Sequence, residues 1–167
     1  YVTTTLTDSL GRTSETRQYD NGTPSGPYTS IPYTYDPKNR LKRVTDADGN
    51  VWTYDYDLMG RMTTTTDPDA GASTTRYTDL DQVLSTTDSR GSTISYTYDE
   101  IGRRTGEYDA AAEEQAPANQ LAKWTYDSVA KGQPTSSIRY VDGSGTGATQ
   151  YMSQIGSYDA LSRPITT

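Results

Sequence analysis

Cysteine, histidine and phenylalanine are all absent from this chain of 167 residues. Without cysteine there are no disulfide staples and no thiolate metal sites. Without histidine or cysteine, hydrolytic triads lose their usual base and an alternative nucleophile. Ser25, in "GTPSG", does not fit the Gly-x-Ser-x-Gly nucleophile turn. Hydrophobic residues make up only 31% of the chain, and no apolar run approaches the roughly 20 residues of a membrane helix. Positive charge is also short: 15 Lys and Arg stand against 22 Asp and Glu, a net charge of −7. That balance argues against nucleic acid, which needs a Lys/Arg footprint for its phosphates, and against anionic membranes. No nucleic-acid partner and no direct membrane insertion are expected, and no cofactor is implied. The opening "YVTTTLTD" carries neither Met nor signal peptide and reads as cut from a longer chain.

What is present is tyrosine and threonine. There are 15 Tyr, 2 Trp and 29 Thr, and Thr and Tyr both favour pleated, half-buried surfaces. So polar a composition raises the question of disorder, since few apolar groups are available to offset ordering entropy. The tyrosines and an internal repeat argue against it.

The repeat is a Tyr-Asp step followed by a turn. Tyr35-Asp36, Tyr56-Asp57, Tyr98-Asp99, Tyr126-Asp127 and Tyr158-Asp159 are clear copies; Thr7-Asp8 opens another, and Thr78-Asp79 reads as a degenerate copy with Thr in the Tyr slot. Units fall near 7–34, 35–55, 56–77, 78–97, 98–125, 126–157 and 158–167, the later ones lengthened by insertions. Each begins with Asp-x-x-Gly-Arg: Asp8, Gly11 and Arg12; Asp57, Gly60 and Arg61; Asp99, Gly102 and Arg103. Asp at the first position of a type I turn accepts from the backbone two residues on. Gly at the fourth supports positive φ and a bulge. In Asp36-Pro-Lys-Asn39-Arg40, Asn39 fills the Gly slot, asparagine being the next-best left-handed residue. A second turn follows about ten residues later at Asp46–Gly49, Asp67–Gly71 and Asp88–Gly91.

Between turns the chain alternates. Ile94, Tyr96 and Tyr98 oppose Thr93, Ser95 and Thr97; Trp52, Tyr54 and Tyr56 oppose Val51, Thr53 and Asp55; Trp124 and Tyr126 share a face. Period two means strands, and turns every 8–12 residues mean consecutive hairpins. The fold class is all-β: a long antiparallel ribbon with an aromatic face and a Thr/Ser face. Three stretches interrupt it. Asp109–Ala122 reads as a short helix with Asp109 as N-cap and Pro117 as terminator. "VDGSGTGAT" reads as a flexible Gly-rich loop, and Asn21–Pro32 as a Pro/Gly loop.

The units "YDPKNRLKRVTDADGNVWTY" and "YDLMGRMTTTTDPDAGASTTRY" resemble the YD repeat of Rhs proteins, insecticidal toxin-complex C subunits and teneurins. "YDSVAKGQPTS" is similar, with Lys131 where Arg usually stands. The sequence departs from the pattern at Asn39, at Ser162 for Gly in "YDALSRP", and across "TDLDQVL". The resemblance implies a spiralling sheet of hairpins forming part of a hollow β-shell, which in bacterial members encloses a C-terminal toxin domain. It also implies a core region ending in an Asp-x-x-Gly-x3-Trp-x2-Pro-Asp-Pro-x-Gly-like motif with self-cleaving aspartyl activity. That motif is not found here, so no catalytic residue is carried over.

Other chemistries lack parts. Asp46, Asp48 and Asn50 resemble the start of a calcium loop, but Val51 and Asp57 stand where Gly and Glu are needed. The many carboxylates invite a glycosidase reading, yet most sit at repeated turn positions. "DGSGTG" has no strand, helix start or Lys for phosphate. The repeated Arg12, Arg61 and Arg103 are placed to pair across strands with turn aspartates, and the rings Trp52, Tyr54, Tyr56, Tyr96, Tyr98, Trp124 and Tyr126 form a candidate binding face. The expectation is a non-enzymatic shell segment of a bacterial secreted or cell-surface protein. Its partners would be the remainder of the same polypeptide and an enclosed toxin domain. The alternative is a surface-adhesion or carbohydrate-binding segment with a glycan or receptor as partner.

Overall fold

The computed structural model describes residues 2–166. The chain divides into two compact units, Tyr1–Thr74 and Thr75–Thr167. The first holds β1 (Val2–Thr7), β2 (Thr13–Tyr19), β3 (Tyr28–Tyr35), β4 (Leu41–Thr45), β5 (Val51–Tyr56) and β6 (Met62–Asp67); β7 (Gly71–Tyr77) runs from it into the second. The second continues with β8 (Val83–Thr87), β9 (Thr93–Tyr98), β10 (Arg104–Tyr108), β11 (Gln120–Tyr126), β12 (Pro134–Tyr140), β13 (Gln150–Tyr158) and β14 (Pro164–Thr166). Hydrogen-bonded neighbours follow strict chain order, and pairs within each unit are antiparallel. The fold is all-β, as the alternation predicts, because each strand finds its partner through the turn beside it.

Within each unit the turns fall on two edges. On one lie the Asp-x-x-Gly-Arg turns; on the other lie Asp46–Asn50 in the first unit, Asp88–Ser92 in the second, and each unit's longer connections. The Gly slots take the left-handed region, with φ of 79° at Gly11, 94° at Gly60 and 89° at Gly102. Asn39 (66°), Asp81 (67°) and Ser162 (59°) take it without being glycine. Register slips just before each such turn, at Leu6/Thr7, Thr34/Tyr35, Asp55/Tyr56 and Thr125/Tyr126. One extra residue on the outgoing strand makes a bulge that raises local twist.

Little apolar core exists. Among the described residues Tyr19 and Tyr140 are the buried hydrophobic ones, alongside buried Ser85, Ser95, Gln120 and Thr135. A sheet this thin leaves most side chains half-buried, and its fully enclosed positions go to small polar groups whose hydrogen bonds are met inside the sheet. Ser95 pairs with Ser85 across β8 and β9 and accepts Gln115 Nε2 at 2.9 Å. Thr135 Oγ1 accepts the Ser128 N–H at 3.0 Å.

Several expectations are corrected. Asp109–Ala122 is not an α-helix: it makes two short 3₁₀ turns, Ala112–Glu114 and Pro117–Asn119, and then enters β11 at Gln120. Pro117 starts the second turn instead of ending a helix. The Asp109 N–H bonds the Asn119 carbonyl at 2.9 Å, so the segment closes as a loop that lays Gln115 on Ser95. Helix propensity yields here because β10 and β11 hold the segment's ends face to face, Tyr108 pairing with Gln120 and Asp109 bonding Asn119. The Gly-rich stretch is docked and not loose: the Ser144 N–H bonds the Pro117 carbonyl at 2.6 Å, and a Cβ on Gly143 would fall 2.4 Å from the Ala118 carbonyl oxygen. Asn21–Pro32 ends as strand from Tyr28 onward. Pro32 fits because β3 leaves β2 at Pro32 and takes up β4 at Tyr33, a handover where a missing N–H is tolerated.

Gly106 on β10 is required by close packing. A Cβ there would lie 2.6 Å from Thr97 Oγ1 and 2.8 Å from Tyr108 Cε2. Gly106→Ala is expected to destabilise the second unit by on the order of 1–3 kcal/mol, read as a lowered melting temperature. Gly145→Ala, facing open space, is the control expected to melt unchanged; equal melting of both variants would contradict the packing.

Candidate functional site

The most elaborate arrangement of side chains in the structure is the repeated turn. Its aspartate sits one residue past a strand end and satisfies three groups. Asp36 Oδ1 accepts the Lys38 N–H at 2.8 Å and the Arg40 N–H at 2.9 Å, while Oδ2 accepts Arg40 Nε at 2.7 Å. The backbone closes the same turn through Asp36 N–H to the Arg40 carbonyl and Asn39 N–H to the Asp36 carbonyl. Asp8, Asp57, Asp99 and Asp159 hold Arg12, Arg61, Arg103 and Arg163 in the same way, with Nε to Oδ2 at 2.6–2.7 Å.

Each arginine is therefore paired inside its own turn, four residues from its partner. Where cross-strand pairing is expected for Arg12, Arg61 and Arg103, each takes the aspartate of its own turn, and Arg103 makes the expected pair as well, with the turn aspartate Asp127 of the next hairpin. What reaches across is the rest of the guanidinium. Arg12 lies over the Tyr35 ring at 4.5 Å, Arg40 over Tyr56 at 4.5 Å and Arg103 over Tyr126 at 4.2 Å. These are cation–π distances. The tyrosine hydroxyl then donates to the carbonyl of the residue after the arginine: Tyr35 to Thr13 at 2.8 Å, Tyr56 to Leu41 at 2.9 Å and Tyr126 to Arg104 at 2.7 Å. Adjacent turns also touch. Arg12 Nη1 bonds Asn39 Oδ1 at 2.6 Å, Arg40 Nη1 bonds the Asp57 carbonyl at 3.0 Å, and Arg103 Nη2 bonds Asp127 Oδ2 at 2.5 Å. Aspartate, arginine and the next tyrosine form one clasp joining successive hairpins.

Two degenerate copies are realigned by this geometry. The Thr78 N–H bonds the Gln82 carbonyl and the Asp81 N–H bonds the Thr78 carbonyl. Tyr77 therefore holds the Tyr slot and Thr78 the Asp slot, one residue away from the Thr78-Asp79 alignment. The tyrosines at 35, 56, 77 and 98 then recur every 21 residues. In "YDSVAKGQ" the Asp127 N–H bonds the Gln133 carbonyl and Gly132 has φ 82°. Gln133, not Lys131, holds the Arg slot, because the turn is two residues longer; the sequence signal was the Gly-Gln dipeptide.

The electrostatics follow the contacts. The hydrogen bond from Arg12 holds the Asp8 carboxyl below its ordinary range against the opposing pull of partial burial. The backbone N–H of Arg40 does the same at Asp36. At Asp57 and Asp99 partial burial pushes upward, and the bonds from Arg61 and Arg103 together outweigh it. Bonds from Asp127 and then Asp99 raise Arg103 further.

The candidate binding rings are largely engaged. Tyr56, Tyr98 and Tyr126 are clasp tyrosines. Trp52 Nε1 donates to Asp67 Oδ2 at 2.9 Å. Tyr96 and Trp124 lie under Arg104 at 3.9 and 5.9 Å, and Tyr54 is half-buried. Asp46 Oδ1 accepts the Asp48 and Asn50 N–H groups and Oδ2 accepts Asn50 Nδ2, so the "DADGN" carboxylate serves a turn. Among the described residues no group of three or more Asp and Glu is arranged to hold a metal ion.

Tyr98→Phe removes the hydroxyl bond to the Val83 carbonyl and is expected to cost about 0.5–1.5 kcal/mol by denaturant unfolding; Tyr54→Phe is expected to cost nothing, and equal effects would contradict the clasp. Acid is expected to open the clasps. Their carboxyls are depressed in the fold, so their stabilisation is present above the ordinary carboxylate range and lost as pH falls below about 4. The melting temperature should hold from pH 7 to 5 and drop below 4, less steeply in Asp36→Asn; a drop already complete at pH 5 would exclude the clasp carboxylates as its cause.

Comparison with known proteins places this geometry. The chain matches no curated protein sequence. The RHS Repeat family model matches residues 35–72 and 77–114, and both matches begin at the tyrosine of a repeat. The fold matches a Photorhabdus luminescens Tc holotoxin pore carrying a TccC3 mutation, at TM-score 0.69 and 16% identity. It also matches crystal structures of TcdB2-TccC3-Cdc42, at TM-score 0.66 and 16% identity, and of TcdB2-TccC3 without its hypervariable C-terminal region, at 0.65 and 15%. The matches cover 96% of this chain but 10% of the others, so it spans about a tenth of their length. With its Tyr-Asp clasps, this chain carries YD/Rhs repeats over the matched residues 35–72 and 77–114.

Proposed function

We propose that the chain is a non-enzymatic wall segment of a shell that encloses a toxin domain in a secreted, toxin-complex-like polypeptide. The observation that carries this reading is that the clasp consumes the motif's chemistry. Asp8, Asp36, Asp57, Asp99 and Asp159 are each saturated by two backbone N–H groups or an N–H and a guanidinium of their own turn. A carboxylate so occupied, and held ionised, is unsuited to general-acid work. Between the turns the strands present largely half-buried Thr, Ser and Tyr, which accept contact with water or with enclosed chain. The remainder of the polypeptide would supply further wall, and the region beyond it the enclosed domain. A carbohydrate-binding role draws less support, since Trp52 and Trp124 are both committed within the sheet.

The test is limited proteolysis of the full polypeptide containing this segment. A domain C-terminal to the repeats is expected to resist a protease that digests it rapidly when produced alone. Equal digestion rates in the two settings would overturn containment.

A further inference from the structure

The third residue of the Asp-x-Φ-Gly-Arg turn is bulky and apolar in the copies other than the one that carries Lys38. In the first unit these are Leu10 and Met59, with Leu58 beside the latter at 91% exposure. In the second unit they are Leu80, Ile101, Val129 and Leu161, of which Ile101 is 74% exposed. The short turns of the opposite edge are different: Asp46–Asn50, Asp67–Ala70 and Asp88–Ser92 carry no exposed large hydrophobic residue, and exposed Val141 stands there in a longer connection. Solvated turns ordinarily select polar residues, and apolar groups exposed in a contiguous row mark an interaction surface. Within each unit neighbouring turns are bonded to each other, through Lys38 Nζ to the Leu58 carbonyl in the first and Arg103 to Asp127 in the second, which sets Ile101 and Val129 on adjacent turns, whereas in the first unit the Lys38 turn stands between Leu10 and Met59.

We propose that this turn edge docks against the corresponding edge of a second copy of the chain, interleaving aliphatic tips. Two features select that occupant. Outside the Lys38 turn the tips recur once per hairpin, about 10 Å apart for two strand spacings, and a second ribbon presents the same period. The edges are also complementary in charge. The first unit's turns at 8–12, 36–40 and 57–61 carry four cations and three carboxylates. The second unit's turns at 78–82, 99–103, 127–133 and 159–163 carry three cations and six carboxylates. The docking pairs the first unit's edge of one copy with the second unit's edge of another, Lys38 facing the acidic Asp79 and Glu100 positions. Clasp aspartates and arginines, already paired, add no repulsion. This inference stands apart from whatever the wall encloses.

Sedimentation velocity of the chain across a concentration series tests it. Self-association that weakens with salt is expected. Leu80→Ser combined with Ile101→Ser should weaken it at least tenfold without changing the circular dichroism or melting temperature, since both side chains point into solvent. Lys38→Glu alone should weaken it several-fold, and adding Glu100→Lys should restore it. A monomer at every concentration overturns the proposal. So does association that survives the serine variants and the charge reversal, which would assign it to the open edges of β1 and β14.

Discussion

A carboxylate placed one residue beyond a strand end governs this structure. Its first oxygen takes the two N–H groups that the tight turn leaves without partners, and its second oxygen takes the arginine that ends the turn. Fixing the arginine's Nε in the turn aims the rest of its guanidinium at the next hairpin, where it covers a tyrosine ring. That ring's hydroxyl then reaches back to the carbonyl behind the arginine. Local turn chemistry and inter-hairpin cohesion are thus the same set of bonds. A sheet in which Tyr19 and Tyr140 are the buried hydrophobic residues among those described has few other sources of cohesion between neighbours. In such nearly one-dimensional assemblies stability is a sum of unit and nearest-neighbour contributions.

The polar interior follows from the same constraint. A single layer has no second sheet to bury aliphatic side chains against, so enclosed positions are those between neighbouring strands and under loops. Ser95 and Ser85 suit them because a hydroxyl fits the space and finds a partner. Gly106 serves similarly, since it clears room for the Tyr108 ring. The connection at residues 109–119 supplies the Gln115 side chain that completes the Ser95 bond.

Much of this was legible in the sequence. Period-two alternation with turns every ten residues gave consecutive hairpins, and Asp-x-x-Gly-Arg gave the turn, with Asn39 in a left-handed slot. The clasp itself was not legible, because which carbonyl a tyrosine meets depends on the bulge-shifted register, and the Gly that signals a bulge does not say which ring it brings to which carbonyl. The same reason hid the internal Asp–Arg pairing: arginine is long enough to reach either its own turn or its neighbour's. The 109–122 segment misled because alanines and an acidic cap signal a helix locally, whereas the spacing of β10 and β11 allows only two short 3₁₀ turns. Thr78-Asp79 misled because a visible Asp outweighed the threonine that fills the slot with its hydroxyl.

The imperfect copies separate what the clasp requires from what reinforces it. Where Thr78 and Gln82 replace Asp and Arg, the turn still closes through its backbone, and Tyr98 still donates to the Val83 carbonyl at 2.8 Å. Where Gln133 replaces Arg after a longer turn, Tyr158 still donates to the Pro134 carbonyl at 2.6 Å. No guanidinium ends either turn, yet the hydroxyl bond persists. The interlock between hairpins is therefore the tyrosine hydroxyl on a bulged carbonyl, and arginine adds cation–π cover and turn closure where it occurs. Freed of Asp127's usual partner, the lengthened turn lends that carboxylate to Arg103 of the preceding turn, so the loss of one cation converts an intra-turn pair into a bridge between turns. A wall built this way tolerates substitution at its charges more readily than at its tyrosines, because the charges have alternative partners and the hydroxyl has one.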